Sequence, residues 1–164
     1  SESVISLVNT YPNLFVVRSM TKMYALAGIR LGYVIGQQAE KLRHYLPHWN
    51  VSSVANEIGC LCLQDKDFVK KSRKKSSQLR NQMVKDLKLI GCKVSNSAAN
   101  FLLFQLPEQY NPDEFFTCLL KRGIVLRHTK NYVGLDGAWF RIAVKSEDIW
   151  AICKDEITKY VKNH

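Results

Sequence analysis

A lysine preceded by two hydroxyl residues follows a short apolar run near the start of this 164-residue chain. Ser19 and Thr21 come before Lys22, and Arg30 stands in a Gly-x-Arg-x-Gly pattern eight positions after the lysine. A lysine amine attacks a carbonyl carbon only after it loses its proton, so it needs surroundings that disfavour its charge. Hydroxyl donors and a planar guanidinium suit a phosphate group. An ordinary surface lysine at a strand-to-loop junction is the alternative that these residues leave open.

The segment 19–33 resembles the cofactor-lysine segment of fold-type I pyridoxal phosphate (PLP) enzymes, the class I and II aminotransferase superfamily. The resemblance implies that Lys22 is the catalytic residue and binds the cofactor covalently. It also implies that Ser19, Thr21 and Arg30 bind the cofactor phosphate. PLP is therefore the cofactor that we expect.

Three residues in the second half of the chain extend the resemblance. Asn100 precedes the apolar run 101–104, which is similar to the strand that brings an asparagine to the substrate carboxylate in this superfamily. Arg127 and Arg141 lie in runs similar to its two arginine-bearing strands. Arginine matches carboxylate and phosphate bidentately, so the resemblance implies that Arg127 binds a substrate phosphate and Arg141 the α-carboxylate. Taken singly, each arginine could equally be a surface charge at the end of a strand.

Two branches of the superfamily fit the chain. The histidinol-phosphate aminotransferase branch is similar throughout, and the segment 127–144 is more like the threonine-phosphate decarboxylases of cobalamin biosynthesis. Thr129 and Val133 depart from that decarboxylase pattern, which has Cys and Pro there. The resemblance implies an enzyme for a phosphorylated amino acid or amino alcohol, a decarboxylase first and an aminotransferase as the alternative. It further implies a homodimer.

The alternation of predicted strands and helices indicates an α/β protein. By resemblance, residues 1–80 are the end of the PLP-binding large domain with an interdomain helix, and residues 81–164 are the small C-terminal α/β domain. The family's glycine-containing phosphate loop, ring-stacking aromatic residue and pyridine-pairing aspartate have no counterpart in the sequence. We therefore expect the C-terminal part of an enzyme, which by itself binds PLP weakly at most. A structural fragment without activity is a further alternative.

Capping residues and hydrophobic spacing predict the individual elements. Helices are predicted over 3–11, 38–44, 52–63, 66–90, 112–121 and from 146 onward, with Gly91 and Gly123 as stops. Strands are predicted over 14–17, 32–36, 92–94, 101–106, 124–127 and 139–144. The last helix is expected to bury six side chains: Ile149, Ile152, Cys153, Ile157, Tyr160 and Val161.

The net charge of +10 raises the question of nucleic acid. The excess lies between Lys66 and Lys88, where apolar residues recur at helical spacing and basic residues fill much of the rest. A basic helix could follow phosphates, which leaves a nucleic-acid-binding module as another alternative. No aromatic interleaving supports it, so a solvated helix face is favoured and no nucleic-acid partner is expected.

The remaining reactive residues suggest no further chemistry. The five cysteines are scattered, and we expect them to be reduced and buried in a cytoplasmic protein. Cys60 and Cys62 lie in a predicted helix, where we expect them to belong to the hydrophobic core. His44 and His48 have no carboxylate or cysteine that completes a ligand set, so no metal is expected. No apolar run is long enough to span a bilayer, and no membrane partner is expected.

Overall fold

The computed structural model describes residues 3–135 and 137–163, and it divides the chain into two compact units. One unit ends at Ser72 and the other begins at Arg73. The domain boundary that we predict from the sequence, between residues 80 and 81, stays a prediction.

The first unit contains a two-stranded sheet and short helices. Its elements are a 3-10 helix at Val4–Asn9, β1 at Val16–Ser19, β2 at Gly32–Ile35, a 3-10 helix at Ala39–Tyr45, α1 at Ser53–Gln64 and the beginning of α2, which spans Lys66–Leu89. Of the two serines that could cap this helix, Ser52 and Ser53, the structure has Ser52 as the cap, because its hydroxyl accepts the Ala55 N–H at 3.1 Å. The two segments predicted as helices near 3–11 and 38–44 are 3-10 helices, the tighter form common in short pieces.

Strands β1 and β2 pair antiparallel, with Val16 opposite Ile35 and Ser19 opposite Gly32. The connecting loop, residues 20–31, therefore leaves and re-enters the sheet at the same end. A Cβ atom at Gly32 would lie 2.8 Å from the carbonyl oxygen of Arg18, so this close approach requires glycine. The register thus brings the two ends of the lysine loop together.

The second unit packs helices on one face of a four-stranded antiparallel sheet. After the rest of α2 come β3 at Lys93–Val94, β4 at Phe101–Gln105, α3 at Pro112–Lys121, β5 at Arg127–His128, β6 at Trp139–Ala143 and α4 at Glu147–Asn163. The strand order is β3-β4-β6-β5. The predicted strand 124–127 is shorter and shifted, since only Arg127 and His128 of this edge strand pair with β6.

The two predicted glycine stops are confirmed, and an asparagine caps α3. Asn111 accepts the Asp113 N–H at 2.9 Å at the start of α3. Gly123 ends α3 with φ +78°, and Gly91 follows α2 with φ +94°, a conformation that glycine adopts without steric cost. These positions depend only on neighbouring residues, which is why the sequence reveals them.

The core lies between the sheet and the helices. Phe104, Phe115 and Phe140 are fully or almost fully buried, and the ring centroids of Phe115 and Phe140 are 5.2 Å apart. Helix α2 contributes Met83 and Leu87 to the same cluster. Because side chains alternate across a strand, the neighbouring residues of β4 and β6 face the other side of the sheet.

Two predictions about buried residues are wrong. Ile149 and Ile152 are 44% and 62% exposed, and α4 instead buries Trp150, Ile157 and Tyr160. The buried stripe of this helix starts one residue later than the aliphatic pattern suggests, since Trp150 inserts into the core.

The cysteines of α1 are also placed differently from the prediction. Cys60 is exposed and Cys62 is half-buried, because α1 buries the face that carries Ala55 and Gly59. Among the five cysteines, Cys92 is buried.

Candidate active site

The lysine loop is anchored at its base by a buried methionine. Met20 is 2% exposed, and its N–H donates to the Leu31 carbonyl at 3.1 Å. Lys22 lies two residues further on, exposed in a turn that the Tyr24 N–H closes by donating to the Met20 carbonyl at 3.2 Å. The anchor therefore fixes the turn while the lysine amine stays accessible.

Two hydroxyl groups lie side by side at the end of β1. The Oγ atom of Ser19 is 2.9 Å from the Oγ1 atom of Thr21, and the Thr21 N–H donates to Ser19 Oγ at 3.4 Å. Hydroxyl hydrogens rotate to suit their partners, so both groups can turn toward an added anion. This arrangement suits a phosphate oxygen.

Arg30 ends the loop next to Leu31, and the β1–β2 register puts it at the same end of the sheet as Ser19. Its φ is +57°, a left-handed conformation that costs energy for a residue with a side chain and that clusters at functional sites. Its guanidinium donates to the Ala27 carbonyl at 3.4 Å. The structure thus gathers Ser19, Thr21, Lys22 and Arg30 at one end of the two-stranded sheet.

Tyr24, which belongs to this loop, packs against α2. Its ring stacks on that of Phe68 in α2, with centroids 5.6 Å apart and planes 18° from parallel. The contact holds the loop segment after the lysine by apolar packing.

The second unit presents two arginines on the open face of its sheet. Arg127 of β5 and Arg141 of β6 are directly opposite each other, and both are exposed. Directly opposed residues of antiparallel strands share a face, and like charges in such a pair are destabilising. An anion bound between the two guanidinium groups would remove that repulsion.

Neighbouring side chains hold the two arginines. The Arg127 guanidinium donates to Asn131 Oδ1 at 3.2 Å. The Arg141 guanidinium lies over the Phe101 ring, 4.2 Å from its centroid, in a cation–π contact. Phe101 directly follows Asn100, so this contact brings the Arg141 cation toward the end of β4 where the predicted asparagine lies.

Asn100 is exposed and its backbone is fixed to β6. The Val144 N–H donates to the Asn100 carbonyl at 2.8 Å. The preceding turn is held by Arg80 of α2, whose guanidinium donates to the Ala99 carbonyl at 3.2 Å. Arg127 and Arg141 therefore share the open side of this sheet, and Asn100 lies just before β4, next to the Phe101 ring that Arg141 contacts.

Sequence reasoning missed two residues of this region. It assigned Arg80 to the basic face of α2, whereas the side chain is half-buried and supports the turn before Asn100. It gave no role to Tyr132, whose hydroxyl interacts with both arginines. Hydrogen bonding by Arg141 and Arg127 lowers the pKa of Tyr132. Its position within the segment 127–144, which resembles the decarboxylases, was the available signal for this tyrosine.

Comparison with known proteins defines the class. The model of the family "Aminotransferase class I and II" matches residues 1–154, so the chain belongs to this family. PLP is the cofactor of the family, and the resemblance seen in the sequence is confirmed.

Relatives within the family carry two different activities in their names. A protein provisionally named threonine-phosphate decarboxylase from Caldanaerobacter subterraneus subsp. tengcongensis is 35% identical over 88% of this chain and 40% of its own length. A histidinol-phosphate aminotransferase from Marinomonas sp. (strain MWYL1) is 32% identical over 90% of the chain and 43% of its own length.

A solved structure shows the same fold. The histidinol-phosphate aminotransferase from Clostridium acetobutylicum superposes with a TM-score of 0.89 at 30% identity, covering 99% of this chain and 50% of that one. The chain therefore spans about half or less of the length of these relatives.

The described residues hold neither a candidate metal site nor a membrane-spanning helix. Within residues 3–135 and 137–163, no group of three or more histidine, cysteine or acidic side chains could hold a metal ion. No helix in the described part of the chain is long and apolar enough to cross a membrane.

Proposed function

We propose that this chain is part of a PLP-dependent enzyme that acts on a phosphorylated amino acid, similar to threonine-phosphate decarboxylase of cobalamin biosynthesis. The likeness over residues 127–144 and the relative from Caldanaerobacter support this activity. The family resemblance supports a homodimer in the cytoplasm, with residues 1–80 belonging to a large domain and 81–164 forming a small one.

The arginine pair is the observation that carries the substrate class. Arg127 and Arg141 lie opposite each other on an open sheet face. Like charges in this arrangement repel, so a bound anion would stabilise the pair. Each guanidinium is a bidentate donor for phosphate or carboxylate. A substrate with an anionic group at each end would engage both, with its phosphate at Arg127 and its α-carboxylate at Arg141 and Asn100.

The residues of the first unit fit the cofactor. Ser19 and Thr21, with hydroxyls 2.9 Å apart, and Arg30 would hold its phosphate, and Lys22 would hold it covalently. When it is bound, PLP withdraws electrons from the substrate carbon that carries the amino group. Lys22 Nζ then carries a proton to or from that carbon as general acid and base.

A histidinol-phosphate aminotransferase is the second candidate. The match to the solved enzyme from Clostridium acetobutylicum, with its TM-score of 0.89, favours it. Loss of the carboxylate and loss of the hydrogen from the same carbon can use the same anion-binding residues, so the products distinguish the two candidates.

The test uses the full-length enzyme that contains this chain. Threonine phosphate is offered while carbon dioxide is measured, beside histidinol phosphate with 2-oxoglutarate. Carbon dioxide without amino transfer supports the decarboxylase, and amino transfer alone supports the second candidate. Reaction with a plain amino acid only would refute the phosphate role of Arg127.

Arginine variants locate the two ends of the substrate. Loss of a charge-assisted bidentate contact should reduce kcat/KM by roughly a hundredfold or more. Arg127→Ala should impair every phosphorylated substrate. Arg141→Ala should impair threonine phosphate more than histidinol phosphate, which has no α-carboxylate. Equal losses on both substrates would contradict this assignment.

Borohydride reduction tests the cofactor assignment independently. Peptide mass mapping of the reduced full-length enzyme should find the cofactor on Lys22, because this lysine has the hydroxyl and arginine neighbours that suit the phosphate. A label on another lysine, with Lys22 unmodified, would overturn the assignment.

A further inference from the structure

The loop that connects β5 to β6 is tied down at its base. Thr129 is fully buried, and its hydroxyl donates to the Trp139 carbonyl at 2.6 Å across the loop. The Tyr132 N–H donates back to the Thr129 carbonyl at 2.8 Å, which turns the chain sharply after Thr129. A buried anchor and a tight turn therefore place Tyr132, rather than leaving it on a free loop.

That placement brings Tyr132 to the arginine pair. The Arg127 guanidinium lies 5.9 Å from the centroid of the Tyr132 ring, and Asn131, the residue just before, accepts from the same guanidinium. The tyrosine hydroxyl interacts with the guanidinium groups of Arg141 and Arg127, and this lowers its pKa. Tyr132 is 36% exposed, so solvent and small ions reach its side chain.

We propose that Tyr132 is a third member of the anion site: its oxygen accepts from Arg127 and Arg141 and orients both, and it donates its own hydroxyl proton to the phosphate that Arg127 binds. The inference rests on the proposed role of the two arginines in binding the substrate.

The hydrogen-bonding capacity of a phenol explains this role. Its oxygen accepts hydrogen bonds from guanidinium groups, which have donors but no acceptor. The Tyr132 oxygen can therefore accept from both Arg127 and Arg141, which offsets the repulsion between the two guanidinium groups before the substrate binds. The phenol proton is not used in these contacts, so it stays available for an anionic oxygen. Two donors then meet the phosphate, the charged Arg127 guanidinium and the neutral Tyr132 hydroxyl, while Arg141 stays available for the α-carboxylate.

The experiment titrates inorganic phosphate into the uniformly ¹⁵N-labelled protein. The backbone amides of residues 131 and 132 report on this site, and those of residues 19–22 report separately on binding near the lysine loop. Tyr132→Phe keeps the ring and removes only the hydroxyl. Tyr11→Phe is the matched control, since it removes a hydroxyl from an exposed tyrosine of the other unit.

We expect Tyr132→Phe to weaken phosphate binding at residues 131 and 132 about tenfold or more, the usual effect of losing a hydrogen bond to a charged group. Tyr11→Phe should leave it unchanged. Unchanged or tighter binding in Tyr132→Phe, together with loss of binding in Arg127→Ala, would overturn the role of Tyr132 while supporting the arginine site. Absence of binding at these amides in the unsubstituted protein would overturn the arginine site and this inference together.

A second measurement needs no phosphate. In protein labelled with ¹³C at the tyrosine ring carbon that bears the oxygen, the Tyr132 signal is identified by its absence in Tyr132→Phe. Arg141→Ala should raise the pKa read from that signal, because the substitution removes a guanidinium donor from the ionised form. An unchanged pKa would overturn the contact on which the inference depends.

Discussion

Replacing Asp86 tests the packing of the second unit most directly. This aspartate of α2 is 8% exposed, and its carboxylate accepts the Trp150 indole N–H at 2.7 Å and the Gln82 side-chain amide at 3.0 Å. Lys154 Nζ lies 3.7 Å away. Because Trp150 belongs to α4, one carboxylate joins two helices that pack on the same sheet.

The expected loss in Asp86→Ala follows from these contacts. The Trp150 ring is 5% exposed, so its N–H cannot be hydrated when the carboxylate is removed. A hydrogen bond to a charged acceptor contributes about 1.5–3 kcal/mol. The half-exposed Lys154 pair adds at most about 1 kcal/mol, because solvent screens it. Asp86→Ala should therefore lower the free energy of unfolding by roughly 2–4 kcal/mol.

Urea denaturation followed by far-UV circular dichroism measures this loss. Asp86→Asn keeps an acceptor oxygen, so its loss in the free energy of unfolding should be about half of that in Asp86→Ala. Asp155→Ala is the control, since this aspartate lies exposed on α4 beside Lys159 and should change nothing measurable. A double-mutant cycle with Trp150→Phe should show coupling of about 1 kcal/mol or more. A loss below about 0.5 kcal/mol in Asp86→Ala, or strict additivity in the cycle, would refute the reasoning.

Three further predictions concern other parts of the chain. Thr129→Val removes the hydroxyl bonded to the Trp139 carbonyl, so it should speed amide exchange throughout the β5–β6 loop and lower stability by about 1–3 kcal/mol in urea unfolding. Burial raises the pKa of Cys92 to about 11, so roughly one thiol in a thousand is ionised at pH 8. A disulfide reagent should then label exposed Cys60 at once and Cys92 only on unfolding; equal rates would contradict this. Oligonucleotides should bind weakly at physiological salt. Tight binding that Lys74→Glu and Lys75→Glu together abolish would instead show that the basic helix is a nucleic-acid site.

Local signals in the sequence predict much of this molecule. Ser52, Gly91 and Gly123 mark helix ends through bonds to residues a few positions away, so neighbouring residue types suffice to find them. The loop that carries Lys22 is predicted from one contiguous segment, residues 19–33. The two runs that carry the arginines are predicted as strands, and the structure pairs Arg127 directly with Arg141.

Contacts between residues far apart in the chain are decided by the tertiary structure. Trp150 is buried and Ile149 is not, because the indole N–H has a partner in Asp86, 64 positions earlier, and no local pattern records that partner. Arg80 reads as one more charge of a basic helix until the fold brings the Ala99 carbonyl to it.

The candidate site divides in the same way. The residue types that the chemistry needs can be read from the sequence alone: a lysine with hydroxyl neighbours and two arginines in predicted strands. The contact of Tyr132 with the arginines, in contrast, depends on the fold, because buried Thr129 and a tight turn place that residue. Residue types are local properties, whereas the direction of a side chain depends on what packs beneath its backbone.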